Sequence, residues 1–205
     1  QSLAVLGLPC VMPESLSLAD EPEVQDLIAL LDALASRGHD LSLARALKSP
    51  LFACSDDDLL LLSQRARRLR QPWFDVLAAL PVDEGSAALA RARRLLAGWA
   101  RCVDELTPHE LLDRIVHEGD LTARVLAATA PPRRAVVLQL LHGLLQAALE
   151  LDGGRFVSTY RFVRALKQGR LKAAPQVPAG AVQLLTVHGA KGLEADVVHL
   201  VDVWP

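Results

Sequence analysis

Thr186, His188, Lys191 and Glu194 fall within nine residues near the C-terminal end of a 205-residue chain, spaced by Gly189 and Gly192. A hydroxyl and an imidazole can meet phosphate oxygens or a nucleotide edge. An ammonium adds a cation, and a carboxylate accepts hydrogen bonds from a ribose. The glycines let the backbone turn tightly and approach a ligand closely. If the backbone is extended through 186–188, Thr186 and His188 point to the same side, because side chains alternate along a strand. The plainer reading is a polar turn between a strand and a helix, with His188 capping and Glu194 opening the helix. The residue types alone favour that plainer reading.

Something must hold this loop. The apolar, Val-rich runs at 182–187 and 197–203 flank it. They read as strands buried on both faces, as in a parallel sheet. Two short strands make a poor sheet alone, so they are expected to belong to a larger one. A further short strand is expected through Cys10 and Val11, after a helix end and a turn at Gly7.

Between these ends the chain reads as helical. Val24, Leu27, Ile28, Leu31 and Leu34 recur at helical spacing, with Pro22 placed to open the helix and Gly38 to stop it. Further helices are expected over 41–48, from a cap at Ser55 through Leu69, and over 73–80, 86–103, 107–117, 121–128, 132–151 and 157–168. Thr107, Pro108 and Glu110 sit close to a capping-box pattern. Residues 13–20 and 172–180 read as linkers. The fold class is therefore mainly α, with a few strands at the two ends.

Composition supports that class and excludes others. The chain is 51% hydrophobic with only 4% aromatic residues, and its apolar weight lies in Leu, Ala and Val. Leu and Ala favour helix. A net charge of −2 gives no global basic field, so contact with nucleic acid must be local. The three cysteines, Cys10, Cys54 and Cys102, are far apart and form no metal or disulfide pattern, which fits a reducing cytoplasm. No signal peptide and no apolar run of about 18 residues occurs, so no membrane partner is expected. His199 and Asp202 would point to opposite faces of a strand, so no metal site is expected with His188 and Glu194. The chain begins at Gln1 without Met and stops at Pro205 after an apolar run. Both ends read as cut, so a piece of a larger protein is expected.

Three basic runs stand out. Arg65, Arg67, Arg68 and Arg70 make one, and Arg91, Arg93, Arg94 and Arg101 another. Arg161, Arg164, Lys167 and Arg170 step by three along one side of a helix and lead to Lys172. Solvated helix faces paired with nearby acids are the plainer reading. A track for DNA phosphates is the other, and the third run is its better candidate because it leads toward the polar loop. Trp73, Trp99 and Trp204 read as packing residues.

The stretch Val182-Gln183-Leu184-Leu185-Thr186-Val187-His188-Gly189-Ala190-Lys191-Gly192-Leu193-Glu194 closely resembles motif V of the UvrD/RecB-like (superfamily 1) DNA helicases. Ala195 to Leu200 matches the strand after that motif. Leu6-Gly7-Leu8-Pro9 is similar to the family's G-I-P turn, and Glu21 to Leu27 to the helix that follows it. Leu47-Lys48-Ser49-Pro50-Leu51-Phe52 resembles the L-R-S-P-L-F of the RecB/AddA (exodeoxyribonuclease V beta-like) branch.

The resemblance implies that residues 1–20 are an edge of the second RecA-like motor domain. Residues 21–180 would be its helical accessory insert, and 181–205 the return to the motor with motif V. It implies that Thr186 and His188 face single-stranded DNA, that Glu194 faces the nucleotide ribose, and that Lys191 and Gly192 shape the loop between. The implied parent is an ATP-dependent, 3′–5′ DNA helicase or helicase-nuclease of double-strand-break repair and recombination. It would use ATP and Mg2+, bind single-stranded and duplex DNA, and join other subunits.

The chain also departs from that pattern. It has no G-x-x-x-x-G-K-S/T phosphate loop, no acidic metal-binding motor motif and no arginine finger, so no catalytic set is complete. The chain alone is expected neither to bind these cofactors nor to hydrolyse ATP. Phe52-Ala53-Cys54-Ser55 stands where the UvrD-like branch carries a Gly-Ile-Gly duplex contact. The alternative from a different class is a helical protein-docking module of a helicase-like protein with an inactive motor. A free-standing helical scaffold is a third.

Overall fold

The computed structural model describes residues 10–11, 16–81, 84–154, 157–173 and 181–201. The chain divides into two compact units, Leu16–Ala173 and a smaller one from Gln1–Ser15 with Ala174–Pro205. The turn at Gly7, the Leu6-Gly7-Leu8-Pro9 stretch, the linker from 174 to 180, and Asp202 and Trp204 lie outside the described residues.

In the smaller unit β1 (Cys10–Val11) pairs with β4 (Val182–Gln183) in parallel, with Cys10 opposite Val182 and Val11 opposite Gln183. The parallel pairing agrees with the sequence reading, but the extent does not. Among the described residues no strand continues past Gln183, and the run 197–201 is not a strand. Nor are these residues buried on both faces: they range from 38% exposed at Leu185 to 84% at Val201. A two-residue ladder offers no layer against which such a run could bury itself.

The larger unit is helical. Its helices are α1 (Pro22–Ala35), α2 (Asp40–Lys48), α3 (Asp56–Leu69), α4 (Trp73–Ala79), α5 (Ala87–Trp99), α6 (Pro108–Glu118), α7 (Leu121–Ala128), α8 (Arg134–Glu150) and α9 (Thr159–Lys167). Helix α1 is the centre. Beyond the expected stripe it also buries Ala29, Leu30, Ala33 and Asp32. A helix apolar nearly all round is enclosed by its neighbours, and α1 packs on α2, α8 and α9. Each fully buried leucine contributes about 2 kcal/mol. Trp99 is the largest fully buried side chain; its ring lies 6.1 Å from that of Phe52 and its Nε1 donates to Glu118 at 2.9 Å.

The helix ends follow local chemistry. Ser55 with Asp58, and Thr107 with Glu110, form reciprocal capping boxes. Ser86 and Ser158 cap α5 and α9. At the end of α9 the Gly169 and Arg170 amides donate back to Leu166 and Ala165, with Gly169 at φ +65. That is a Schellman stop. Helices α5, α8 and α9 are each at least three residues shorter than expected. Helix α5 ends at Trp99 because the Arg101 and Cys102 amides tighten onto the carbonyls three residues back. Pro131 and Pro132 open α8 as a 3-10 turn over Pro131–Arg133, since neither offers an N–H to an α-helical bond.

The linker expectation fails at both borders of the larger unit. Leu16–Ser17 (β2) pairs antiparallel with Lys172–Ala173 (β3), with Leu16 opposite Ala173 and Ser17 opposite Lys172. Its first and last residues are therefore zipped together. A 3-10 turn at Leu18–Asp20 follows β2 and plants Leu18 fully in the core. No helix among the described residues is long and apolar enough to cross a membrane.

Candidate functional site

The loop after β4 is a run of overlapping turns. The Thr186 carbonyl accepts from the Ala190 amide at 2.9 Å, and Thr186 Oγ1 accepts from the Gly189 amide at 3.1 Å. The Lys191 amide donates to His188 at 3.4 Å and the Leu193 amide to Ala190 at 3.1 Å. The extended geometry expected for 186–188 is therefore absent: both polar groups of Thr186 are drawn into the turn, and His188 sits within it. The Thr186 O–H proton stays free to donate. Gly192 lies at φ +84, in the left-handed region. Gly189 has a different reason, since a Cβ there would sit 3.1 Å from Thr186 Oγ1.

The side chains of Thr186, His188, Lys191 and Glu194 are all exposed on this turn. The structure thus brings the predicted loop residues into one short turn whose polar ends face solvent. They could meet an anionic or nucleotide ligand from outside. Among the described residues no three His, Cys, Asp or Glu side chains come together to hold a metal ion.

The predicted basic stripe lies on α9 and just beyond it. Phe162, Val163, Ala165 and Leu166 face the core, while Arg161, Arg164, Lys167 and Arg170 are exposed. Lys167 also makes an internal contact: its Nζ donates to Asp32 Oδ2 at 2.8 Å and forms an ion pair between α9 and α1. That aspartate was missed in the sequence. Its signal was available, as one carboxylate inside the apolar run of α1. Burial works to raise the Asp32 pKa, but hydrogen bonds from Lys167, Ser42 and His39 outweigh it and hold the group below its ordinary value.

Three arginines of the other basic runs are bonded within the fold. Arg65 forks onto Glu84, and Arg93 donates to the Leu80 carbonyl. Arg91 clamps two loops, through Nη1 to the Leu51 carbonyl at 2.8 Å and Nη2 to the Gly119 carbonyl at 2.7 Å. Cys54 is no nucleophile: burial, with the Asp58 charge adding and Lys48 opposing, pushes its thiol up to about 12.

No family model matches the chain. Curated relatives do. An ATP-dependent helicase/nuclease subunit of Levilactobacillus brevis is 27% identical over 212 residues, 96% of this chain and 17% of the relative. The exonuclease/helicase subunit RexA of Lactococcus lactis subsp. cremoris is 26% identical with the same coverage. The corresponding helicase/nuclease protein of Lacticaseibacillus casei is 27% identical over 215 residues, again 96% and 17%. The chain thus spans 17% of the length of these relatives. Along almost its whole length the chain resembles the RecB/AddA-like branch of the UvrD/RecB-like helicases.

Proposed function

We propose that the chain is the helical accessory insert and motif V loop of an ATP-dependent DNA helicase, acting within a helicase-nuclease complex. The observation that carries this reading is the ungapped motif V pattern over 182–194, in a chain similar to helicase/nuclease proteins over 96% of its length. In this reading residues 1–20 and 181–205 belong to the second RecA-like motor domain and 21–180 to its insert. Thr186 and His188 meet single-stranded DNA, Glu194 meets the ribose of ATP, and Lys191 and Gly192 shape the turn between. One loop touching both ligands couples them, because a shift at one is felt at the other. ATP and Mg2+ act in the longer protein, with the phosphate loop and arginine finger supplied outside these 205 residues. Movement is 3′–5′ along DNA, in the service of break repair and recombination.

The test compares the isolated chain with the longer polypeptide that contains it. The isolated chain turns over no ATP and binds DNA weakly, with a Kd of about 10⁻⁴ to 10⁻⁶ M that rises with salt. The longer polypeptide hydrolyses ATP when single-stranded DNA is added, and Glu194→Gln lowers that rate. Turnover by the isolated chain that Glu194→Gln abolishes would sink the reading. DNA binding with no turnover in the longer polypeptide would favour a docking module on an inactive motor.

A further inference from the structure

Thr186 makes two hydrogen bonds that together close one turn. Its Oγ1 accepts from the Gly189 amide at 3.1 Å, and its carbonyl accepts from the Ala190 amide at 2.9 Å. A threonine that caps a helix makes the same two bonds. Here they hold a turn, and no helix follows among the described residues. His188 lies between the ends of those bonds, and its own carbonyl accepts from the Lys191 amide at 3.4 Å. Its ring is exposed and makes no hydrogen bond or ion pair among the described residues. The ring is therefore placed by its backbone alone.

The residues beside His188 do not all favour a turn. Val187 is β-branched and prefers extended backbone. It is 79% exposed, so little packing holds it where it is. Val182 and Gln183 lead into the loop as strand β4. Against that preference the Thr186 hydroxyl offers the chain a local alternative, and side-chain bonds of this kind compete with extended structure. Gly189 leaves the hydroxyl its room, since a Cβ there would stand 3.1 Å from Thr186 Oγ1.

We propose that Thr186 is the positioning residue of this loop: its hydroxyl holds 186–190 in the turn and so fixes where His188 is presented. Without that acceptor the preference of Val187 carries 186–188 toward extended backbone. The His188 ring then leaves its present side, because side chains along a strand follow the alternation of the backbone. Holding the backbone of the ring beforehand lowers the ordering cost of any contact the ring makes. That the ring meets single-stranded DNA rests on the helicase reading; that Thr186 places the ring does not. The Thr186 oxygen accepts from Gly189 and keeps its own proton, so a bond it donates to the strand is separate from its hold on His188.

The test has two arms. In the full 205-residue chain, NMR follows the amide temperature coefficients of Gly189 and Ala190 and the ring signals of His188. Thr186→Val keeps the shape and loses the acceptor; it is expected to steepen both coefficients and to move the His188 ring signals. Thr186→Ser keeps the acceptor and is expected to stay near wild type. Melting of the helical unit is expected to be unchanged in both, since the loop belongs to the other unit. Unmoved coefficients and ring signals in Thr186→Val overturn the proposal, as does a Thr186→Ser chain that behaves like Thr186→Val. The second arm measures the single-stranded DNA concentration that half-maximally stimulates ATP hydrolysis by the longer polypeptide. Thr186→Val is expected to raise it about tenfold with His188 in place and less than about twofold in the His188→Ala background, with Thr186→Ser restoring it. Losses that simply multiply in the double variant mean that Thr186 acts through a contact of its own, and overturn the proposal. If DNA does not stimulate the wild-type longer polypeptide, the helicase reading fails, and the NMR arm alone decides whether Thr186 places His188.

Discussion

Lys167 and Asp32 meet at 2.8 Å across the two helices that open and close the larger unit. The same Asp32 oxygen accepts from Ser42 Oγ at 2.6 Å and lies 3.0 Å from His39 Nδ1. One carboxylate oxygen thus gathers α1, α2, α9 and the turn before α2. The pair lies in the element order just inside β2 and β3, so it and the two-residue ladder both tie the start of the unit to its end.

Removing the two partners is expected to have unequal effects. Lys167→Ala leaves Asp32 with Ser42 and His39, and because the lysine is half exposed the loss is about 1 kcal/mol. Asp32→Ala strands three donors on neighbouring elements and costs about 2–3 kcal/mol. Urea unfolding of the two variants measures both. A Lys167→Ala variant with wild-type stability and weakened DNA binding would assign this lysine to the DNA stripe.

Asp58 gives the chain an acid-labile joint. Its carboxylate accepts from the Ser55 amide at 3.0 Å, the Ser86 amide at 3.0 Å and the Ser86 hydroxyl at 2.7 Å, tying the start of α3 to the start of α5. Burial acts to raise its pKa, but hydrogen bonds from Ser86 and then Ser55 outweigh it and hold the group below its ordinary 3.8. A lowered folded pKa means stability that is complete above the unfolded value and lost as pH falls through the folded one. Wild type is therefore expected to lose stability below about pH 4. Asp58→Asn should be about 2 kcal/mol less stable at neutral pH and show a flatter acid limb. Equal acid limbs in the two proteins would refute this role.

Gly119 is needed for space and not for its φ of −87. A Cβ there would stand 2.5 Å from the Ile115 carbonyl oxygen, 2.9 Å from Leu51 Cδ1 and 3.4 Å from Trp99. The same residue's carbonyl receives Arg91. Gly119→Ala is expected to cost about 2–3 kcal/mol and to lower the thermal midpoint, by forcing the α6–α7 turn off the Phe52–Trp99 core. Gly38→Ala is the control, because nothing lies within 4 Å of its added methyl group.

Local chemistry made much of this fold legible. The Ser55 and Thr107 caps and the stripe at Val24, Leu27, Ile28, Leu31 and Leu34 each depend on residues a few positions apart. The β2–β3 ladder and the Lys167–Asp32 pair join residues more than a hundred positions apart, and nothing in either segment alone specifies the other. The loop was legible as a motif but not in its conformation. Thr186 looked like a strand residue, yet its hydroxyl and carbonyl both find turn partners within four residues, and such local bonds compete with extended structure.

The two loop glycines should respond differently to the same methyl group. Gly192 has nothing within 4 Å of an added Cβ, but its φ of +84 is strained for any L-residue with a side chain. Gly192→Ala is expected to cost the turn about 1 kcal/mol, and Gly192→Asn less, because asparagine tolerates the left-handed region better. Gly189 has no such φ; its Cβ would press on Thr186 Oγ1 at 3.1 Å, a contact that a few tenths of an ångström of movement relieves. Amide chemical shifts over 186–194 should therefore move more in Gly192→Ala than in Gly189→Ala, with melting of the helical unit unchanged in both. If the loop couples DNA to ATP in the longer polypeptide, DNA-stimulated hydrolysis should fall in the order Gly189→Ala, Gly192→Asn, Gly192→Ala. Wild-type stimulation in Gly192→Ala, with its shifts displaced, would separate the turn from any coupling role.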